Sequence, residues 1–195
     1  MRKILRSSLF ALAAALTLSG CGIQSIPQAE NQVDAAWAEV QNQYQRRADL
    51  VPNLVNVVKG YAAHERETFE AVTAARSQAT QITLRVDELT PEKLQAFEKA
   101  QAQLKGALGR LLAVAERYPD LKANENFRDL QVQLEGTENR IAIARRRYID
   151  SVQHFNNQIT VPPTSFTNSI FYHKERKAQF TATTEGAEKA PEVRF

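Results

Sequence analysis

Residues 33–61 read VDAAWAEVQNQYQRRADLVPNLVNVVKGY, and their apolar side chains recur at alternating spacings of three and four. Two series with a period of seven continue this pattern to Val86, and thirteen of their sixteen members are apolar or aromatic. The members are Val33, Val40, Arg47, Leu54, Tyr61, Thr68, Ala75 and Ile82, and Trp37, Tyr44, Val51, Val58, Glu65, Val72, Ala79 and Val86. Such spacing predicts long helices packed along a coiled-coil-like seam.

Pro52 stands in the middle of this stretch. A proline inside a helix loses a hydrogen bond and costs about 3 kcal/mol, a penalty that vanishes in a first turn. Two structures are therefore compatible with the sequence. Either Asp49 caps a new helix that contains Pro52 in its first turn, or one helix bends at residues 50–52. Because the seam continues across Pro52, the pattern favours a bend or a tight break over a wide loop.

The later helices have clear end signals. Thr90-Pro91-Glu92 supplies a cap, a proline at the first helical position and an early acid, and Tyr118-Pro119-Asp120 ends that helix. Asn124 is the predicted cap of a last helix that runs to Ile159, before Val161-Pro162-Pro163. Short connections make consecutive helices antiparallel. The sequence therefore predicts an all-α fold, an elongated antiparallel up-and-down four-helix bundle with long helices.

The first twenty residues are typical of an export signal. Arg2, Lys3 and Arg6 precede an apolar run at residues 9–18, which has roughly half of the ~20 residues that a membrane-spanning helix needs. Leu18-Ser19-Gly20-Cys21 resembles the lipobox of bacterial lipoproteins. The resemblance implies that Cys21 is acylated and becomes the first residue of the mature chain.

This segment predicts a cell-envelope, membrane-anchored lipoprotein, since two or more acyl chains anchor a protein stably. Gly22 after the cysteine favours the periplasmic side of the outer membrane in an organism with two membranes. The alternatives are an uncleaved single-pass membrane anchor and simple secretion. The predicted organisation is a signal peptide at 1–20, a linker at 21–29, a helical bundle at 30–160 and a mostly irregular C-terminal tail at 161–195.

Charge gives no argument for nucleic acid as a partner. The chain has 25 Lys+Arg and 22 Asp+Glu, and removing the three bases of the signal leaves 22 of each. The dense run Arg145-Arg146-Arg147, with Arg140 nearby, spreads around a helix because successive residues point about 100° apart. We expect it to be a solvated helix face and not a phosphate-binding stripe.

No set of residues in the sequence predicts catalysis, a cofactor or a metal. Serine elbows, phosphate loops and paired-cysteine motifs are absent from the sequence, and His64, His154 and His173 lie in separate segments. His64-Glu65 lacks the second histidine of a zinc-protease helix. We therefore expect a protein that is not an enzyme, with no catalytic, cofactor-binding or metal-binding residues.

Two groups of residues are unusual for an apolar seam or a helix interior. The first is a set of polar residues on or beside the predicted seam: Arg47, Asp49, Asn53 and Glu65, with Thr137, Glu138 and Asn139 on the last helix. It is either a buried hydrogen-bonded network that fixes helix register, which we favour, or a polar ligand pocket. The second is Gly106 and Gly109, which each cost about 1 kcal/mol of helix propensity. Close helix packing is the favoured explanation, and a partner-binding surface is the alternative.

Three ordered blocks of the sequence resemble the LemA family. They are Arg46–Val55 with Val58–Ala62 and His64-Glu65, Tyr118–Asn124 with Phe127 and Leu130-Gln131, and Thr137–Asn139 with Ile141-Ala142, Ala144-Arg145 and Tyr148. The similarity covers residues 30 to 162, and the closing Ala-Pro-Glu-Val-Arg-Phe is also similar to the family. The resemblance implies a bacterial, membrane-associated four-helix bundle of the bromodomain-like kind, with no enzymatic activity attached. Many members carry an N-terminal membrane anchor, where this chain has a lipobox.

Two functions from different classes remain. The favoured one is a non-enzymatic, membrane-anchored interaction module that binds an envelope protein partner as an adaptor. The alternative is a ligand-binding or sensory bundle with its polar site near the Pro52 kink. A third hypothesis is self-assembly into a homo-oligomer along the membrane.

Overall fold

The computed structural model describes the backbone of residues 2–180 and the side chains of residues 23–180. The predicted signal peptide and Cys21 lie outside the described side chains, and residues 181–195 lie outside the described chain. All regular secondary structure in the described range is helical. The helices are α1 (Arg2–Tyr61), α2 (Arg66–Gln81), α3 (Pro91–Val114), α4 (Pro119–Ala123), α5 (Glu125–Thr160) and α6 (Thr164–Thr167). Over this range, none has an apolar stretch long enough to cross a bilayer.

Helices α1 and α5 pack against each other in opposite directions. Near one end, the Ser25 hydroxyl donates to the Gln158 side chain at 3.1 Å. Near the other end, the side-chain amide of Asn124 donates to the Tyr61 hydroxyl at 2.9 Å. Helix α2 folds back along α1, and α3 packs against α2. The described chain is thus a helical bundle, as the seam predicts.

The predicted helix caps are confirmed. The Thr90 hydroxyl accepts a hydrogen bond from the Lys93 amide at 3.3 Å, with Pro91 as the first residue of α3. The Asn124 side chain accepts from the Phe127 amide at 3.0 Å and starts α5. Each cap satisfies one of the amides that have no partner inside the helix.

The seam residues are buried and form two apolar clusters. The first joins residues 26–44 of α1 to the start of α3 and the later part of α5. It centres on Trp37, whose ring lies 5.2 Å from that of Tyr148 and 5.5 Å from that of Phe97. The Trp37 indole also donates to the Leu84 carbonyl at 2.8 Å, which fixes the irregular connection between α2 and α3. The second cluster joins the end of α1 to α2, the later part of α3 and the start of α5.

Pro52 neither starts a helix nor ends one, since α1 runs through it to Tyr61. Of the two structures that the sequence left open, the single helix through Pro52 is the one observed. Asp49 caps no helix, and the chain turns instead at residues 62–65. Pro52 has no amide to donate to the carbonyl four residues earlier, which belongs to Ala48. That carbonyl accepts a hydrogen bond from Nε of Arg76 on α2, at 2.8 Å. A neighbouring helix thus supplies the donor that the proline lacks.

Pro27, also inside α1, is compensated in the same way. The carbonyl that its missing amide leaves free belongs to Ile23, and it accepts a hydrogen bond from the Tyr172 hydroxyl at 2.7 Å. The prediction of a linker at 21–29 needs correction, because its described part is helical and Ile26 and Ala29 are buried. These two side chains extend the apolar seam of α1 toward the N-terminus.

The segment after α5 combines short turns with an irregular stretch. Helix α6 is followed by a π-helical turn at Asn168–Tyr172. The chain then runs back along α5, where the Lys177 amide donates to the Asn156 side chain at 2.9 Å and the Tyr148 hydroxyl donates to the Ala178 carbonyl at 2.8 Å. Phe180 is buried beside Trp37, with 6.0 Å between the ring centroids. The first part of the predicted tail is thus packed on the bundle.

Candidate functional site

Arg47, in the last third of α1, is the centre of a buried polar cluster, with a side chain only 2% exposed. Its guanidinium donates to the Glu138 carboxylate on α5 at 2.7 Å. It also donates to the side-chain oxygen of Gln101 on α3 at 2.6 Å and to the backbone carbonyl of the same residue at 3.0 Å. One side chain therefore ties three helices together at a fixed register.

Gln101 completes this cluster, and the sequence interpretation missed it. It is buried, and its amide donates to the Ala79 carbonyl on α2 at 3.1 Å, so the network reaches the fourth long helix. A sequence signal for it exists. Gln101 lies seven residues after Leu94 and seven before Leu108, on the apolar face of α3. A glutamine at such a position needs hydrogen-bond partners inside the bundle.

Glu138 is held in its charged form by two cations. Burial alone would raise the pKa of this carboxyl, but the hydrogen bonds and charges of Arg47 and Lys105 together lower the pKa below its ordinary value. The Lys105 ammonium lies 3.2 Å from the carboxylate. A carboxylate stabilised in this way is a poor proton donor or acceptor near neutral pH.

The other predicted members of the network are distributed differently. Thr137 is buried, donates to the Gln133 carbonyl at 2.8 Å and accepts from Arg140 at 3.0 Å. Asp49, Asn53 and Asn139 are exposed, so their assignment to a buried network is wrong. Asp49 accepts from the Gln45 amide at 2.7 Å, a surface contact within α1.

Glu65 also lies elsewhere, at the turn between α1 and α2. Its carboxylate is 2.8 Å from the Arg117 guanidinium, and it accepts a longer hydrogen bond of 3.3 Å from the Tyr118 hydroxyl. These contacts join the turn to the segment between α3 and α4. The polar positions of the seam thus mark two separate features, the Arg47 cluster and this turn.

A second acid–base pair lies closer to the start of α3. Arg145 of α5 donates to the carboxylate of Glu98, whose side chain is buried. The same guanidinium stacks on the ring of Phe180, with 4.2 Å to the centroid. Arg146 and Arg147 are exposed, so the arginine run spreads around the helix as predicted.

Both pairs line a groove of about 1240 Å³ between α3 and α5. Two buried side chains of α1, Tyr44 and Arg47, form its base. Along α3 it extends from Glu92 to Lys105, or about 20 Å at 1.5 Å per residue. Its walls combine small or apolar side chains with charges of both signs: Ala96, Ala102, Ile141, Ala142 and Ile149, and Glu92, Lys99, Lys105, Arg146 and Asp150.

The two glycines of α3 do not mediate close helix packing. Gly106 and Gly109 are exposed, and a side chain at either position would meet nothing within 4 Å. The packing explanation is therefore wrong.

The three histidines are exposed on separate segments, and among the described residues no cluster of three His, Cys, Asp or Glu side chains is arranged to hold a metal ion. For the whole chain, the expectation of no metal site stays a prediction.

Comparison with known proteins decides the family. The sequence profile of the LemA family matches residues 36–195. The chain belongs to the LemA family. This confirms the resemblance drawn from the three sequence blocks, two of which include Arg47 and Glu138 of the central cluster.

Three proteins to which the chain is similar share less than 30% identity with it. Protein LemA of Metamycoplasma hominis is 27% identical over 141 residues, which cover 72% of this chain and 59% of the relative. Magnetosome protein MamQ 2 of Paramagnetospirillum magneticum is 28% identical over 139 residues, which cover 63% of this chain and 51% of the relative. Magnetosome protein MamQ of Magnetospirillum gryphiswaldense is 26% identical over 155 residues, which cover 67% of this chain and 57% of the relative. The chain thus spans between 51% and 59% of the length of these relatives.

Proposed function

We propose that this LemA family member is a non-enzymatic interaction module of the cell envelope, held at a membrane and binding an envelope protein through the groove between α3 and α5. The observation that carries the proposal is the groove itself, with its base of buried side chains and its rim of mixed charge. The buried charged side chains at its floor, Arg47 and Glu98, are each paired, as Arg47–Glu138 and Arg145–Glu98. Such pairs suit recognition better than proton transfer.

The proposed occupant of the groove is an amphipathic helix of the partner. The groove follows α3 for about 20 Å, the length of a helix of about thirteen residues. The small side chains Ala96 and Ala142 on opposite walls permit close approach. Lys99 and Asp150 on the rim offer charges of both signs to the polar edges of the incoming helix.

We propose that the bundle which carries this groove has the antiparallel up-and-down four-helix topology, made of α1, α2, α3 and α5. Support comes from contacts that pair α1 with α5 and from the hydrogen bond that joins Gln101 of α3 to α2. The Arg47 cluster fixes the register of these helices and thereby the shape of the groove.

We further propose lipidation of Cys21 as the anchor, on the periplasmic side of the outer membrane where the organism has two membranes. The lipobox-like sequence supports it. The test is fractionation of cells that express the native chain or Cys21→Ala, with mass spectrometry of the N-terminal peptide. An acylated peptide in the native protein, and its loss from membranes in the variant, supports the anchor. Equal retention of both proteins, without acylation, supports a single-pass anchor.

The interaction role is tested by chemical cross-linking in intact membranes, followed by purification and mass spectrometry. The proposal predicts one stoichiometric envelope protein, cross-linked to the native chain and lost with Ala96→Arg in the groove. Ala113→Arg is the control, because Ala113 is an exposed alanine of the same helix outside the groove. Cross-links only between copies of this chain would contradict the adaptor role and favour self-assembly.

A second candidate function is ligand binding or sensing at the Arg47 cluster. One observation favours it: within the described residues, Nε of the buried Arg47 has no hydrogen-bond partner. The atom is shielded from solvent, so a carboxylate or phosphate would accept from it only by entering the cluster beneath the groove surface. A thermal-shift screen of small carboxylates and phosphates tests this. A ligand at 100 times its Kd stabilises the folded state by about 2.7 kcal/mol, and Arg47→Leu should abolish the shift.

A further inference from the structure

The exposed large apolar side chains of the described chain concentrate at one end of the bundle. Five of the eight belong to residue 23 or to residues 161–171. They are Ile23, Val161, Phe166, Ile170 and Phe171, which we call the terminal apolar patch. Phe166, Ile170 and Phe171 are each more than 60% exposed. Exposed aromatic and aliphatic side chains grouped in this way usually mark a surface that contacts another apolar phase or molecule.

The fold fixes this patch beside residues 23–30 of α1. The Tyr172 hydroxyl donates to the Ile23 carbonyl at 2.7 Å, the acceptor that Pro27 leaves free. Two residues later, the Lys174 ammonium lies 2.9 Å from the Glu30 carboxylate. The turn that presents Ile170 and Phe171 is thereby attached to the first described side chains of the bundle.

Cys21 lies two residues before Ile23, and two residues span at most about 7 Å. Acyl chains on Cys21 would therefore bring the lipid surface to the patch. An uncleaved helix through residues 9–18 would also leave the membrane close to this end. With either anchor, the exposed apolar side chains would lie next to the lipid bilayer.

We propose that the terminal apolar patch inserts into the membrane interface and holds the bundle end-on to the bilayer. This inference rests on the proposed membrane anchoring and adds a second, independent contact to it. With α1 standing on the membrane, Arg47 lies about 36 Å along the helix from Ile23, which places the groove away from the lipid surface. The patch then determines how far from the membrane a partner must reach.

The test is quenching of tryptophan fluorescence by brominated phospholipid in vesicles that contain the full-length, anchored chain. Phe171→Trp and, separately, Phe166→Trp report on the patch. Val132→Trp is the control, because Val132 is an apolar residue of α5 with nearly the same exposure as Phe171, 67% against 66%. The single native tryptophan, Trp37, is buried in the core, and its signal is subtracted using the native chain.

Interfacial side chains reach a depth of about 5–10 Å, close to bromine at the 6,7 positions of an acyl chain. Lipid brominated there should therefore lower the fluorescence of both patch tryptophans roughly twofold or more. The tryptophan at 132 should change little. If the protein sediments with the vesicles but the tryptophans at 166 and 171 are quenched no more than the one at 132, the patch proposal is wrong and the anchor proposal stands. The patch is then open to water or covered by protein. If the protein does not sediment with the vesicles, both the anchor and the patch proposals fail.

Discussion

Replacing Arg76 with methionine removes the donor that reaches the Ala48 carbonyl while keeping most of the apolar stem of the side chain. The hydrogen bond measures 2.8 Å, and the carbonyl has no amide partner four residues later because that residue is Pro52. An acceptor left unsatisfied away from water costs about 1–3 kcal/mol. The site is only partly buried, so we expect a loss of about 1–2 kcal/mol, or roughly 2–8 °C in Tm.

The decisive comparison is the same substitution in a Pro52→Ala background. The alanine introduced at position 52 has an amide that bonds to the Ala48 carbonyl within the helix, so Arg76→Met should then cost less than about 0.5 kcal/mol. Urea unfolding of the four proteins, followed by circular dichroism, gives the coupling free energy. Arg110→Met, an exposed arginine of α3, controls for loss of surface charge. Equal costs of Arg76→Met in both backgrounds would show that Arg76 does not compensate for the proline.

Three further predictions concern single sites. Arg47→Leu should lower the free energy of unfolding by about 3–5 kcal/mol, whereas Arg46→Leu, at an exposed neighbour, should change it by less than about 0.5; equal melts for the two would refute the network. For Glu138→Gln, the native chain should be more stable at pH 7, and urea titrations should show this difference shrinking as the pH falls below about 4. The reason is that the pKa of Glu138 is lower in the folded protein than in the unfolded chain, where it is near 4.3. The charged carboxylate therefore stabilises the fold above that pH, and this stability is lost as the carboxylate is protonated. A difference in stability that does not change with pH would contradict the role of the charge. Gly109→Ala should raise the free energy of unfolding by about 0.5–1 kcal/mol, because the added methyl group meets open space and the helix gains propensity; a destabilised protein would show that this face is packed.

Period-seven spacing was sufficient to predict the helical class and most of the buried seam of α1, because burial of one face dictates that spacing. The caps at Thr90 and Asn124 were also predictable, since both depend on local hydrogen bonds. The turn after α1 was not predicted, although Glu65 and Thr68 are polar positions of the seam on either side of the start of α2. The seam itself resumes in α2, which concealed the break.

The sequence left open whether a helix begins near Pro52 or runs through it, because the outcome is determined by a residue distant in sequence. Local rules give the cost of a proline inside a helix, but only the fold brings Arg76 to the free carbonyl. The same applies to the polar cluster. The sequence identified Arg47 and Glu138. Gln101 was missed although its spacing from Leu94 and Leu108 places it on the apolar face of α3, and only the fold shows that this face meets Arg47. Asp49, Asn53 and Asn139 were included for their proximity in sequence, which does not decide the direction of a side chain on a helix.

The central claim, that the groove between α3 and α5 binds an envelope protein, is tested most directly by a photo-cross-linking amino acid at position 142 in intact membranes. Ala142 is exposed on the groove wall, and position 132 on the same helix is an exposed control outside it. The account predicts one discrete adduct from position 142, mapped by mass spectrometry to an amphipathic helix of an envelope protein, and none of that mass from position 132. Absence of an adduct at 142, or the same adducts from both positions, would contradict it.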